Sequence, residues 1–408
     1  MNRYKNGLTY FLLYPIFLIL SQNLFTQSTA QAIPANRKVP VIELSGNGYN
    51  RGLQHGKALK NEIAEVLKKW KENIKSNTKQ NADAIITQFY NATNFEPAIK
   101  KWTPEIYKEL KGISQGSGQS FKDVFCFQLV DEFWVYLDKL QNAQNHHCSG
   151  IGVAATNSHP AYIAQNMDLE SYMNNYQVLL HIASNDKEPE QYILSCAGLI
   201  ALNGLNSKGI GVCVNTLMEL EASSDGLPVA CVIRGILSKQ DRQNALKFVQ
   251  TIKHASGQNY IIGTIDSVYD FEASAGKVSR FVPDNKNYSL VYHTNHAIVN
   301  DNIKPWYEEN HKKILSGEAK NDNSFIRFAS LRSRLNNSGN NISDDIIKET
   351  LRSKDDLLNP ICRTYKSGGR VFTFSSVILT LGKRPTIQLT NASPDQSEYI
   401  LHTFKSNR

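Results

Sequence analysis

At Cys148 this 408-residue chain changes its periodicity, and that change limits the folds open to it. Residues 33–147 place apolar side chains mostly at helical spacing, whereas from Cys148 onward short strands alternate with turns. The junction reads His146-His147-Cys148-Ser149-Gly150-Ile151-Gly152-Val153, then a Thr156-Asn157-Ser158-His159-Pro160 turn. Ala161-Tyr162-Ile163-Ala164-Gln165-Asn166-Met167-Asp168 follows. That is a hairpin with a thiol at its head and a carboxylate closing its second strand.

Before the junction, residues 39–44 alternate like a strand and Gly46-Asn47-Gly48 turns the chain. Helices are expected over Arg51–Trp70 and Asp83–Tyr90, from Thr103-Pro104-Glu105, and from Ser120 to about Leu140. Gln141–His147 is a polar linker. After it, strands are expected over 176–184, 191–197 and 210–215, with Leu205–Gly209 a turn, and then a helical pair, Pro228–Ser238 and Arg242–His254. Further strands cover 260–265, 267–273, 278–282 and 289–295; helices cover Ser324–Leu335 and Ser343–Ser353; a strand pair, 371–381 and 386–392, closes the chain. Consecutive antiparallel strands with helices segregated from them indicate a layered α+β sandwich with an N-terminal helical extension, not an alternating parallel fold.

With 41% hydrophobic and 20% charged residues the composition is that of a globular protein. The net charge of +8 comes from scattered Lys and Arg with no basic run, which argues against nucleic acid as a partner. Arg3 and Lys5 precede an apolar run over Leu8–Leu20, and Ala30-Gln31-Ala32 offers a small-x-small cleavage site. Residues 1–32 therefore read as a removed signal peptide, and the mature protein as exported with no stable membrane insertion. Export permits disulfides, but the six cysteines are widely spaced, and neither C-x-x-C nor H-x-x-x-H occurs to hold a structural zinc. The four tryptophans, Trp70, Trp102, Trp134 and Trp306, read as core or groove residues.

An amide yields to an activated nucleophile with donors waiting for the oxyanion. A cysteine at a chain terminus carries its own base, because an α-amine titrates near about 8. Cys148 is internal, so breaking the His147–Cys148 bond would have to free that amine. The thiol itself can do this by attacking the preceding carbonyl.

Several segments resemble the isopenicillin N acyltransferase (acyl-CoA:6-aminopenicillanic acid acyltransferase) family. They are Gly48-Tyr49-Asn50-Arg51-Gly52-Leu53-Gln54-His55-Gly56, Cys148-Ser149-Gly150-Ile151, Gln165-Asn166-Met167-Asp168, Asn206-Ser207-Lys208-Gly209-Ile210-Gly211-Val212 and His293-Thr294-Asn295-His296. Choloylglycine hydrolases and penicillin V acylases are more distantly similar. The resemblance implies a four-layer αββα Ntn-hydrolase fold over 148–408, self-cleavage into two fragments of one chain held together, no cofactor, and a small-molecule N-acyl amide substrate. Carried over residue by residue, Cys148 is the nucleophile, Asp168 orients its freed amine, and Asn295 and Asn215 donate to the oxyanion. Arg327 steadies the thiolate, with Arg332 the competing match and a surface helix arginine the plainer reading. Asp168 as a turn carboxylate and Asn215 as a turn former are the plainer alternatives. Two departures stand out: bile-acid hydrolases have arginine where Gln165 stands, and the fungal acyltransferase has glycine where His147 stands. His146 and His147 could assist proton transfer during cleavage, but as linker residues they are expected to be merely solvated. Two rival functions stay open: an uncut cysteine amidase with His293 or His296 as base, and a non-catalytic exported binding protein.

Overall fold

A computed structural model describes residues 38–141, 147–283, 289–318, 322–338 and 342–404. The expected signal peptide and His146 lie outside the described residues. Strand β1 (Val41–Leu44) leads into α1 (Gly48–Ala58), α2 (Lys60–Thr78), α3 (Ala82–Ala92) and α4 (Glu96–Trp102). Then come α5 (Pro104–Ser117), α6 (Phe121–Phe127) and α7 (Val130–Gln141). The hairpin is β2 (Ser149–Val153) and β3 (Ala161–Glu170); β4 (Gln177–Ile182), β5 (Gln191–Cys196), β6 (Asn203–Asn206) and β7 (Gly211–Thr216) follow. The helical pair α8 (Val229–Leu237) and α9 (Arg242–Thr251) precedes β8 (Gln258–Gly263), β9 (Val268–Ala273), β10 (Val278–Phe281) and β11 (Leu290–His293). The chain continues through α10 (Glu308–Ser316), α11 (Asn323–Asn337) and α12 (Asp344–Leu351) to β12 (Val371–Leu381), β13 (Thr386–Leu389) and β14 (Ile400–Thr403).

These strands make two sheets. One has eight strands in the order β1-β4-β5-β6-β7-β8-β9-β10, and the other has six in the order β11-β2-β3-β12-β13-β14. β1 joins its sheet parallel to β4; the described pairings are otherwise antiparallel. β2 and β3 face β7 and β8 across the sandwich, α8 covers β6 and β7, and α11 and α12 cover β11, β3 and β12. The layers are α, β, β, α. Because the β2–β3 ribbon is covered on both faces, its two side-chain sets enter two different cores. Ile151, Val153, Tyr162 and Ala164 pack outward with Leu331, Leu335, Ile347 and Leu351. Ile163 and Met167 face the inter-sheet core with Cys213 and Ile261. Gly150 belongs to the inner set for a steric reason: a Cβ there would lie 2.8 Å from Ile261 Cδ1 and 3.0 Å from Asn215 Oδ1.

The N-terminal helices are fastened to this sandwich. Gly48, Gly52 and Gly56 line one face of α1 against α5, and a Cβ on Gly52 would sit 1.9 Å from the Glu109 carbonyl oxygen. That part of the family-like segment therefore serves helix packing. Beside it, Arg51 Nε donates to Glu109 Oε2 at 3.1 Å, while Arg234 of α8 donates to both Glu109 oxygens at 2.7 and 2.9 Å. Burial alone would push the Glu109 carboxyl up, but the two guanidiniums outweigh it and hold it below the usual range.

Four expectations are corrected. The single helix over 51–70 is two, broken at Leu59. The helix from Ser120 also divides, at Gln128 and Leu129, where the Gln128 side-chain amide donates to Val124 O of α6 at 3.1 Å and to Gly198 O at 2.7 Å and accepts from Ile200 N at 2.9 Å. Trp306 is 51% exposed, unlike Trp70 and Trp134 in the core. The stretch expected as a turn from Leu205 begins as strand β6. All six cysteines are free and buried.

Candidate active site

Cys148 stands at the head of β2, where the ladder pairs Ser149 with Asn166 and so brings the thiol to the end of β3. Its Sγ lies 3.7 Å from Met167 Sδ and 3.9 Å from the Asp168 carbonyl oxygen. Burial, reinforced by the Asp168 carboxylate, pushes the thiol up to about 12. In the intact chain it is protonated at neutral pH.

Asp168 lies near the end of β3, inside the protein. A register shift in β12 between Thr373 and Ser375, a bulge, turns Thr373 Oγ1 onto Asp168 Oδ1 at 2.7 Å. Arg363 Nε is 3.4 Å from Oδ2, close enough for attraction, yet Oδ2 has no hydrogen-bond partner among the described residues. Burial pushes this carboxyl up to about 7, against the pull of Arg363 and Thr373. Neither Thr373 nor Arg363 was among the residues read from sequence, since only the β3–β12 pairing brings them here.

Arg327, in the first turns of α11 and completely buried, ties the site together. Its Nη1 donates to the Cys148 carbonyl at 2.6 Å and to Ser149 Oγ at 3.0 Å. Nη2 donates to Asn295 Oδ1 and Nε to Asn323 Oδ1, both at 2.9 Å. Burial brings the guanidinium down to about 10, opposed by the Asp168 carboxylate. Arg332, its competitor in the sequence, is exposed on the same helix. Asn295 passes its own amide to Thr216 O at 3.0 Å. Asn215, at the end of β7, reaches His293 O at 3.4 Å and leaves its buried Oδ1 unpaired.

His147 is not a merely solvated linker residue. Its Nδ1 meets Asn323 Oδ1 at 2.8 Å. Asn323 was missed in the sequence, although it precedes Arg327 by four residues and so shares a helix face with it. Gln165 fills the position of the bile-acid hydrolases' arginine differently: its amide donates to Val214 O and accepts from Asn203. His293 has both ring nitrogens engaged, Nε2 with Glu272 at 2.9 Å and Nδ1 with Thr294 O at 2.9 Å. Asp270 and Glu272 overcome its burial and hold it at about 9. His296 meets Ser324 Oγ through Nδ1 at 2.8 Å, and burial takes it down to about 3.

A cavity of about 60 Å³ opens beside the thiol, lined by Leu199, Leu202, Val214, Val229 and Ile233 and by Gln128 and Asp131 of the N-terminal region. Asp131 Oδ2 accepts from Thr216 Oγ1 at 2.8 Å and Gln258 Nε2 at 2.9 Å, which pins the N-terminal region to the cavity wall. Among the described residues no helix is long and apolar enough to cross a membrane, and no cluster of His, Cys, Asp and Glu could hold a metal ion.

A sequence model of the acyl-coenzyme A:6-aminopenicillanic acid acyl-transferase family matches residues 154–396. The match includes Asp168, Asn215, Asn295 and Arg327 and begins after Cys148. No curated protein matches the chain by sequence. Among solved structures, the chain is similar to a Caenorhabditis elegans N-acylethanolamine-hydrolyzing acid amidase ortholog at 16% identity and a TM-score of 0.39, covering 57% of this chain and 92% of that one. A mutant of conjugated bile acid hydrolase from Clostridium perfringens gives 14% and 0.39, covering 63% and 96%. Penicillin V acylase from Agrobacterium tumefaciens gives 14% and 0.38, covering 60% and 83%.

Proposed function

The chain belongs to the acyl-coenzyme A:6-aminopenicillanic acid acyl-transferase family, and on that premise we propose that it is an exported, self-processing hydrolase that cleaves an amide-linked acyl group through a thioester on Cys148. Its family transfers acyl groups or hydrolyses amides, so the chain is an enzyme of carbon–nitrogen bond chemistry. Export rests on the sequence of residues 1–32, and hydrolysis follows from it, since water is the acceptor everywhere outside the cell.

One observation carries the self-processing reading. The Cys148 thiol touches Met167 Sδ and a backbone oxygen, and among the described residues no side-chain base is hydrogen-bonded to it. A thiol held near 12 needs a base, and a freed α-amine at about 8 would supply one at the same residue. The buried, unpaired Oδ2 of Asp168 supports a role in receiving that amine. The uncut alternative is disfavoured because both nitrogens of His293 are already occupied, and burial holds His296, bonded through Nδ1 to Ser324, down at about 3. Asn295 and Asn215 are the proposed oxyanion donors, each exchanging a backbone carbonyl for the developing charge, and the apolar cavity wall supports an acyl chain as its occupant.

The test is the intact mass of the purified protein beside Cys148→Ala under denaturing, reducing conditions. Two fragments meeting between His147 and Cys148 in the wild type, and one chain in the variant, are expected. A single uncut chain in both removes the amine base and with it the proposal.

A further inference from the structure

We propose that Asn323 is a positioning residue for self-cleavage, holding the residue before the scissile bond while its helix neighbour holds the residue after it. This rests on the self-processing reading above. Asn323 and Arg327 lie one turn apart on the same face of α11. Arg327 Nη1 grips the carbonyl of Cys148 at 2.6 Å, and Asn323 Oδ1 meets the ring of His147 at 2.8 Å. The bond to be cut is bracketed from both sides by one rigid element.

The donor and acceptor roles follow from the contacts themselves. A guanidinium can only donate, so the Asn323 atom 2.9 Å from Arg327 Nε is the amide oxygen. Consistently, Asn323 Nδ2 donates to Asn359 Oδ1 at 2.8 Å, which fixes the orientation of the amide. The oxygen that receives Arg327 therefore also receives His147, whose Nδ1 must carry a hydrogen. The imidazole is anchored in one tautomer, and with it the backbone carbonyl that the thiol must reach.

In the step so positioned, Cys148 Sγ forms a bond to the His147 carbonyl carbon and the carbon–nitrogen bond breaks. The thiol proton passes, in net, to the departing nitrogen, which becomes the α-amine of Cys148. Water then adds to the thioester and restores the thiol, leaving a carboxyl group on His147. Holding an attacking atom and its target at near-contact geometry is worth orders of magnitude in rate, so a loosened His147 should slow this step. After the cut, His147 is no longer joined to the nucleophile and the tether has nothing left to position.

The experiment follows fragment formation by intact mass in wild type, Asn323→Ala, Asn323→Asp and His147→Ala, with thermal melting as a check on folding. The accessible reactivity of Cys148 is read separately, per cut molecule, as its rate of alkylation by iodoacetamide. Expected are a roughly tenfold or greater slowing of cleavage in Asn323→Ala and His147→Ala, and a smaller slowing in Asn323→Asp, which keeps both acceptor contacts but loses the donation to Asn359. Alkylation per cut molecule should stay within about threefold of wild type, since the contacts that Asn323→Ala removes, to His147, Arg327 Nε and Asn359, all lie outside the thiol's own contacts. Wild-type cleavage rates in Asn323→Ala would overturn the role of Asn323 alone, as would equal losses of cleavage and alkylation. An uncut wild type would overturn self-processing and this role together.

Discussion

Replacing Arg327 with methionine separates the two things a buried guanidinium can do. Its charge is costly where it sits: a drop from the ordinary 12.5 to about 10 corresponds to about 3 kcal/mol against the charged folded state. In return it satisfies the Cys148 carbonyl, Ser149 Oγ, Asn295 Oδ1 and Asn323 Oδ1, each worth about 1 kcal/mol net. Methionine keeps much of the volume, removes the charge and abandons all four acceptors, so gain and loss nearly cancel. The expected change in folding free energy is a loss of about 1 kcal/mol, measured by urea unfolding in a Cys148→Ala background so that both proteins are uncut. Self-cleavage in the otherwise native chain should nevertheless slow by about a hundredfold or more, because the carbonyl of the nucleophile and the amide of Asn295 lose their common anchor. Intact mass against time reads this. Unchanged cleavage, or a stability loss well above about 3 kcal/mol, would refute the reasoning: the first by showing the fork idle, the second by showing it to be a structural core.

Asp168→Asn, again in the Cys148→Ala background, should change the pH dependence of stability. The folded carboxyl lies at about 7, above its unfolded value of about 3.9, so its contribution is complete below pH 4 and is lost as pH rises toward 7. The asparagine variant should therefore gain up to about 4 kcal/mol relative to its parent between pH 4 and pH 8, and urea unfolding that shows parallel profiles would dispose of the claim. Gly52→Ala puts a methyl 1.9 Å from the Glu109 carbonyl oxygen, so α1 and α5 must separate. A loss of about 2–4 kcal/mol is expected in thermal or urea unfolding, and an unchanged midpoint would mean the contact is looser than it stands. Ile233→Ala removes apolar bulk from the cavity beside Cys148 and should move hydrolysis of a series of N-acyl substrates toward chains about two carbons longer. An unshifted series would place the acyl group elsewhere.

Local chemistry made several elements readable without coordinates. Pro104 at a helix start, the Ser343 cap and the Ser120 cap each act within one turn, so α5, α12 and α6 begin where their residues say. The run from Ser149 to Val153 likewise announced a strand, and the thiol at its head was legible for the same reason. Arg327, by contrast, was named through the family resemblance, with Arg332 as its competitor.

The remainder was decided at a distance. At the end of α6 the Gln128 side chain bonds Gly198 O and Ile200 N across the core, and nothing within its own turn foretells them. Asp168 is a buried carboxyl and not a turn cap because a bulge in β12, far along the chain, turns Thr373 onto it. His293 looked available as a base until Glu272 and the Thr294 carbonyl took both of its nitrogens. Side-chain identity and short spacing determine what a segment can form and which groups can react. Which groups meet, and how far burial moves their protons, depends on strand register and sheet packing, and those emerge only when distant segments compete for the same neighbours.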